Sequence, residues 1–435
     1  MIIRFAVQNY KSLRDRNEIS FVASKLSDPM NALIHVDGIS EALLPTLAVY
    51  GANASGKSNL LAAIEYMREV VRWSHRAAAE NVGMNRRPFR LDSKSSAVPS
   101  SFDIDFIVNN VRYHYGFTCD DKVVLSEWLF AYPKKKRQVW LFRERQNFEF
   151  GSALTGRNKI ISEQVGESTL FLSAAAANRH DLITPIFRFF TNDIYILGSS
   201  VPSRIVDVIS DDVKRDTVIR LLSSADFGIK SAKIADEDLG DVSQAFSREL
   251  TEIIKKHVPG METEGFDLSK PSKKVMLGHG AAGGDVVYLE SYDESSGTLK
   301  MLELLGPILE SLDRGSVLII DEIDSSLHSA VSTALVKVFS DKVTNNKGAQ
   351  LFFSTHDTNL LCSGGLRRDQ IWFAEKSSSG ATITYPLTDI VTRKGDNLER
   401  GYLQGRYGAI PFIGGWESLL RLDAAPAISV GERAV

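Results

Sequence analysis

Residues 51–58 read GANASGKS, with the apolar run LAVY at 47–50 before them and NLLAAIEYM from residue 59 after them. The octet fits the pattern GxxxxGK[ST], in which glycines let the backbone curl so that successive N–H groups cradle phosphate oxygens. Gly51 and Gly56 supply that freedom, and Asn53, Ala54, Ser55 and Asn59 complete the candidate phosphate-binding set. Lys57 is placed to reach the β- and γ-phosphates and Ser58 to ligate Mg²⁺, with the positive N-terminus of the following helix aimed at the anion. A strand before the loop and a helix after it separate this reading from a glycine-rich surface turn. The segment therefore predicts a site for a nucleoside triphosphate with Mg²⁺.

The 435-residue chain is too long for one ordinary core and predicts two or three lobes. Its two cysteines, Cys119 and Cys362, lie far apart and outside any CxxC or Cys/His cluster, which argues against a zinc site and a disulfide framework. The start, MIIRFAVQNYKSL, has no apolar block of secretory type, and no stretch approaches the ~18 apolar residues of a membrane span. These features predict a soluble, cytoplasmic protein with no membrane partner. A net charge of −3 and a pI near 6.3 give no global nucleic-acid signature, while a local basic patch stays open.

Ile3, Phe5 and Val7 alternate with Arg4, Ala6 and Gln8, and Ile19 and Phe21 continue the period-2 pattern, so paired strands precede the loop. From Lys57 to about Ala79, Leu60, Leu61, Ile64, Met67, Val70 and Val71 recur at helical spacing. The β-branched and aromatic runs of 100–150, separated by Asn109-Asn110, Asp120-Asp121 and 133–137, read as an antiparallel meander. Residues 155–270 are mostly helical in pattern, interrupted by DIYIL at 193–197 and IKSAKIA at 229–235. From about 296 the chain alternates helix and strand: TLKMLELLGPILESL, SVLIIDE, a helix over about 326–343, then QLFFSTH, which marks a parallel α/β sheet. Residues 421–435 read as a frayed tail. Domain boundaries are expected at 1–155, 156–285, 286–392 and 393–435, with the second segment a helical insertion.

VLIIDE at 317–322 is an apolar strand ending in two carboxylates. Behind a phosphate loop, Asp321 is the candidate for the Mg²⁺ shell and Glu322 for polarising the attacking water. His356 follows QLFFST at another strand end, where open α/β sheets place their ligands, and is the candidate γ-phosphate sensor. Ser295, Ser296 and Gly297 open a helix about twenty residues before VLIIDE; they suit a capping turn and also a second phosphate-binding face.

GANASGKS, ESSGT at 294–298, VLIIDE, IDSSLH at 323–328 and STH at 354–356 together resemble the ABC-type ATPase head of structural-maintenance, double-strand-break-repair and OLD-like proteins. The resemblance covers roughly 1–60 and 285–375. It implies an α/β P-loop NTPase with a parallel core, an antiparallel meander and an inserted helical lobe. Ser295 and Gly297 take the signature positions, although ESSGT departs from the commoner LSGGQ. The glutamine that the family places where the lobes meet has three candidates, Gln138, Gln146 and Gln164. FAVQNYKSLRD, DEIDSSLH and RKGDNLERGYLQGRYGAIPF at 393–412 resemble more closely the compact bacterial ATPases of abortive-infection, anticodon-nuclease and antiphage-defence systems.

The resemblance implies a homodimer, open to higher assembly, that sandwiches two ATP molecules between the phosphate loop, Asp321, Glu322 and His356 of one chain and 295–297 of the other. Residues 324–328 then lie near the dimer axis. It also implies a separately encoded effector, a nuclease or toxin. Two other functions compete: a repair ATPase that clamps DNA or another nucleic acid, and a self-contained nuclease, for which only 79 residues follow His356. The basic run KKKR at 134–137 reads as a solvated hairpin tip, GRYGAIPF as a glycine-punctuated turn with a packed end, and Trp128 and Trp140 as core or sheet-face residues.

Overall fold

The computed structural model describes residues 1–411 apart from 27, 29–32, 78–82, 198–204, 226, 237–248, 250–272, 363–364 and 394. The tail at 421–435 and Phe412 therefore lie outside the described residues. The chain begins with strands β1 (Ile2–Gln8), β2 (Asn17–Ser20) and β3 (Thr46–Tyr50), and β3 leads through the phosphate loop into the helix Lys57–Ala77. A meander follows: β4 (Ser100–Val108), β5 (Val111–Cys119), β6 (Val124–Tyr132), β7 (Gln138–Glu144) and β8 (Asn147–Phe150). Short helices at Asn158–Ser162, Phe171–Ala177 and Thr184–Asn192 precede β9 (Ile194–Leu197). Helices Ile205–Ser210 and Asp212–Ser224 then lead to β10 (Ile229–Asp236), β11 (Lys273–Gly280) and β12 (Val286–Glu290). The last third holds the helix Ser296–Arg314, β13 (Val317–Ile320), the helix Ser329–Ser340, β14 (Gln350–Ser354), β15 (Ile371–Lys376), β16 (Thr382–Pro386) and the helix Leu398–Leu403.

Six strands form the central sheet in the order β16-β15-β3-β14-β13-β9, parallel except at the β16 edge. Every residue of β3, β13 and β14 is buried, which is why these strands read as unbroken apolar runs: both faces of a parallel sheet are covered. Alternation divides them between two cores. Leu47, Val49, Ile319 and Phe352 pack toward the helix Lys57–Ala77 and the meander. Ala48, Tyr50, Leu318, Ile320 and Phe353 pack toward the helices Ser296–Arg314 and Ser329–Ser340. At the start of β14 the buried amide of Gln350 accepts from Ile2 N at 2.6 Å and donates to Ile2 O at 2.9 Å, tying β1 to this sheet.

The second sheet is antiparallel throughout, in the order β2-β1-β4-β5-β6-β7-β8. Asn109 and Asn110 both have positive φ (51° and 59°), the backbone that a two-residue hairpin with matching twist demands. Phe102, Ile104, Phe106, Tyr115, Phe117 and Leu129 line the inner face, where Phe106 stacks on Phe189 at 4.6 Å. The predicted alternation of β1 needs one correction. The register shifts between Ile2 and Arg4, so Ile2, Phe5 and Val7 share the main core while Ile3 packs in a satellite with Leu43 and Ile107. A bulge adds one residue to the strand and changes the face of everything before it.

DIYIL and IKSAKIA are strands, as their patterns predict, but they serve different sheets. Ile194–Leu197 pairs in parallel with β13 at the edge of the central sheet. Ile229–Asp236 joins β11 and β12 in a three-stranded antiparallel sheet. The helix expected at 326–343 is shorter, Ser329–Ser340. Glu322 (φ 53°) and Ser326 (φ 62°) hold the preceding stretch in left-handed turns, and His328 Nδ1 accepts from Ala330 N at 3.1 Å as the N-cap.

Candidate nucleotide site

The phosphate loop crosses the C-terminal end of β3. Ala54 (φ 62°) and Gly56 (φ 106°) turn the backbone, and the helix starts at Lys57. Lys57 is 6% exposed, and its Nζ donates to Gly51 O at 2.8 Å and Ala52 O at 3.2 Å. Burial pushes the Lys57 ammonium below its ordinary value, while Asp321, Glu322 and Asp324 act in the opposite direction. Three carboxylates thus share the field of one lysine. Ser55 Oγ is buried with no hydrogen-bond partner, an unsatisfied polar atom inside the cradle. Asn53, Ala54 and Ser58 are exposed, and Asn59 is half-buried.

The next two strands of the sheet on one side of β3, β14 and then β13, place the acidic groups: Asp321 and Glu322 follow β13, and β14 orients them. Ser354, the last residue of β14, donates its hydroxyl to the Asp321 carboxylate and accepts from Glu322 N at 2.8 Å. One hydroxyl therefore orients both predicted acidic residues. Glu322 is exposed in its left-handed turn, and Asp321 is half-buried. His356 is exposed two residues beyond β14, and its backbone N–H donates to both Asp324 oxygens at 3.2 and 3.3 Å. The structure thus brings the loop, Asp321, Glu322 and His356 to the C-terminal end of the central parallel strands, with acceptors for an ion and donors for an anion.

Ser295 and Gly297 sit elsewhere. Ser295 is the exposed N-cap of the helix Ser296–Arg314; its Oγ accepts from Thr298 N at 3.1 Å and pairs with Thr298 Oγ1 at 2.9 Å. A Cβ on Gly297 would meet Ser326 O at 3.0 Å, so this turn packs on the segment that follows Glu322. Among the described residues, no hydrogen bond joins 295–297 to 51–59. Of the three glutamines, Gln138 opens β7, Gln146 lies in the turn before β8 and Gln164 follows the helix Asn158–Ser162.

A family model described as "AAA domain, putative AbiEii toxin, Type IV TA system" matches residues 47–363, from β3 to just beyond the helix Asn359–Cys362. The chain belongs to this family. It is an AAA-type P-loop ATPase, and its fold is the expected α/β one, with a parallel core, an antiparallel meander and helices inserted between its halves. Among solved structures, the SMC head domain from Thermotoga maritima is similar at 12% identity and a TM-score of 0.37, over 88% of this chain and 98% of that one. The SmcHead crystallised with the C-winged helix domain of ScpA is similar at 14% identity and a TM-score of 0.38, over 92% of this chain and 99% of that one. No match is found among curated proteins. Among the described residues of this AAA ATPase, no helix is long and apolar enough to cross a membrane.

Sequence reading missed a brace beneath the loop. Thr382 Oγ1, at the start of β16, bonds Ser55 O at 2.7 Å and Ser12 Oγ at 2.8 Å, and Asn59 Nδ2 donates to the same Ser12 Oγ at 2.7 Å. A Cβ on Gly56 would lie 2.1 Å from Thr382 Oγ1. Beside Ser12, Asn9 (φ 53°) and Lys11 (φ 48°) take left-handed backbone, and Lys11 N donates to Arg87 O at 2.6 Å. A cleft of about 550 Å³ lined by Lys11, Ser12, Arg87, Phe89 and Arg90 adjoins this brace. NYKSL carried the one available signal, an asparagine and a lysine between strands; nothing in the sequence around Thr382 marks it.

Proposed function

We propose that this AAA ATPase closes as a homodimer around two ATP molecules, and that its nucleotide state controls a separately encoded nuclease or toxin in a bacterial antiphage system of the abortive-infection kind. The observation that carries the dimer is the position of 295–297. This turn is exposed, and the helix behind it is anchored in the core through Met301, Leu304, Leu305 and Ile308. Folding the turn onto the chain's own phosphate loop would strip those side chains from the core, whereas a second copy can meet it with the fold intact. The family description, with its toxin and type IV TA system, supports the regulatory setting.

In this reading the N–H groups of 53–58 and Lys57 bind the phosphates, Glu322 takes the proton of the attacking water, and His356 contacts the γ-phosphate. The oxygens of Ser58 and Asp321 suit Mg²⁺, a hard cation that supplies charge neutralisation between the phosphates. Ser295 and Gly297 complete the partner's site. Glu322→Gln should keep ATP and run at twice the monomer mass by light scattering. A monomer with ATP bound would overturn the dimer. Purification from the native host without any nuclease or toxin attached would count against the effector.

A further inference from the structure

The outer face of the seven-stranded sheet carries a row of aromatic and cationic side chains that the ATPase site does not use. On β6, Trp128, Phe130 and Tyr132 alternate with the buried Leu129 and Ala131, so the three rings share the outer face at roughly 6.7 Å intervals. β5 sets Gly116, His114 and Arg112 directly opposite them. A Cβ on Gly116 would lie 2.4 Å from Trp128 Cζ2, so the indole lies across the neighbouring strand where only glycine leaves room. All three rings are half-buried, each with part of its surface toward solvent. The Arg137 guanidinium sits 3.9 Å from the Phe130 centroid and that of Arg112 5.0 Å from the Tyr132 centroid. His114 lies edge-on to both Trp128 and Phe130.

Charge on this face is sorted by depth. The carboxylates of Asp103 and Asp105 are only 5% and 3% exposed, and they are held beneath Arg4, Arg16, Arg112 and His114. Arg112 Nε has no hydrogen-bond partner. Lys134, Lys135, Lys136 and Arg137 form the exposed turn at one end of the row, with Glu18 and Glu41 near it, while the exposed Glu144 and Glu149 lie toward the other end, beyond Trp128. At the Tyr132 end of the row cations therefore outnumber carboxylates and stand outermost. The net charge of −3 does not oppose this, because the local field decides what approaches.

We propose that this face binds single-stranded nucleic acid, with bases stacking on Trp128 and on the Arg137–Phe130 pair and phosphates following Arg112 and the lysines of 134–136. Flat rings at strand spacing on an open antiparallel sheet offer a platform to any base, because every base has a π-face. The flanking guanidinium and ammonium groups match the backbone that joins the bases. An apolar protein partner would be a poorer fit, since docking would desolvate this cationic rim without pairing it.

The test uses the full chain and labelled 20-residue oligothymidylate and oligouridylate, read by fluorescence anisotropy between ~50 and ~200 mM salt. Saturable binding that weakens steeply with salt is expected, and the tighter oligomer shows which of the two strands the face prefers. Phe130→Leu and Trp128→Leu should each weaken binding about tenfold. Lys134→Glu combined with Lys136→Glu should flatten the salt dependence. Phe130→Leu should leave ATP hydrolysis at the wild-type rate, which reports an intact fold. No binding of either oligomer at low salt would overturn the proposal. So would unchanged affinity in both Phe130→Leu and Trp128→Leu, or tighter binding of a duplex of the same sequence than of either single strand.

Discussion

Lys57 Nζ donates to Gly51 O at 2.8 Å, so the lysine closes the phosphate loop on itself and lies buried among backbone carbonyls. Burial lowers the Lys57 pKa from its ordinary 10.5, so the unfolded chain binds this proton more tightly than the folded one. Stability from this group therefore rises with pH between the folded value and 10.5, and the cost of the buried ammonium is complete below that window. Lys57→Met removes the cost. The variant should melt at or above the wild-type temperature without nucleotide at neutral pH, with the advantage shrinking as pH approaches 10.5. Its affinity for a fluorescent ATP analogue should fall by roughly a hundredfold or more, because the phosphates lose their charged donor. Lower stability at neutral pH would contradict this account.

Ser354 orients two acidic residues at once, donating to Asp321 and accepting from Glu322 N. Ser354→Ala leaves that N–H without its partner and frees the Asp321 carboxylate. The cost should be about 1–3 kcal/mol of stability, read by denaturant melts. Turnover should fall more than nucleotide affinity, since Lys57 still holds the phosphates. Glu322→Gln is the companion: hydrolysis should drop about 10²–10⁴-fold with ATP still bound. Wild-type hydrolysis by Glu322→Gln would show that the base lies elsewhere.

Thr382 fills the space beside Gly56 that a Cβ would need. Gly56→Ala is doubly excluded, by the 2.1 Å approach and by φ of 106°, and should abolish ATP binding while the melting transition stays cooperative. Thr382→Val keeps the shape and removes the bonds to Ser55 O and Ser12 Oγ. It should raise KM several-fold, with a smaller effect on kcat. Equal KM values would show that the brace does not shape the loop.

The phosphate loop was legible because its chemistry is contiguous: eight residues, a strand and a helix carry the whole pattern. Asp321 and Glu322 were legible as the end of an apolar strand, and Ser295 as an N-cap. What escaped is what tertiary structure assembles. Ser12 and Thr382 meet across 370 residues, and neither stands in a pattern of its own. Ile194–Leu197 reads as a strand, yet its partner β13 is set by the packing of distant segments. The bulge at Ile2 and Arg4 escaped for a related reason: an added residue leaves each side of it locally regular.

Glu127 and Arg143 are both fully buried and 3.4 Å apart, on adjacent strands of the meander. Glu127 also accepts from Phe171 N at 2.7 Å, Leu172 N at 3.0 Å and Tyr115 Oη at 3.0 Å, capping the helix Phe171–Ala177. Arg143 in turn donates to Thr169 O at 2.5 Å and Arg145 O at 2.6 Å. Glu127→Ala strands a buried guanidinium and uncaps the helix, so a loss of about 3–5 kcal/mol is expected from denaturant melts. Glu127→Gln keeps most of the geometry and should lose less. A change below about 1 kcal/mol in Glu127→Ala would mean that water reaches this pair.

In the proposed dimer Ser295 of one chain completes the Lys57 site of the other, and mixing two variants tests this. Ser295→Arg should block closure while leaving ATP affinity intact, since Lys57 and its loop are untouched. Lys57→Ala should bind no nucleotide. Each variant alone should be inactive. In a mixed dimer, however, the Ser295→Arg chain supplies an intact Lys57 and the Lys57→Ala chain an intact Ser295, and these two meet at one interface. The other interface carries both lesions. Random pairing of equal amounts should therefore restore about a quarter of wild-type ATPase activity if the sites are independent, and less if both must fire together. A mixture that stays inactive while mixed dimers are seen by mass would remove the trans assignment of Ser295. Full activity of Ser295→Arg alone would remove the signature role itself.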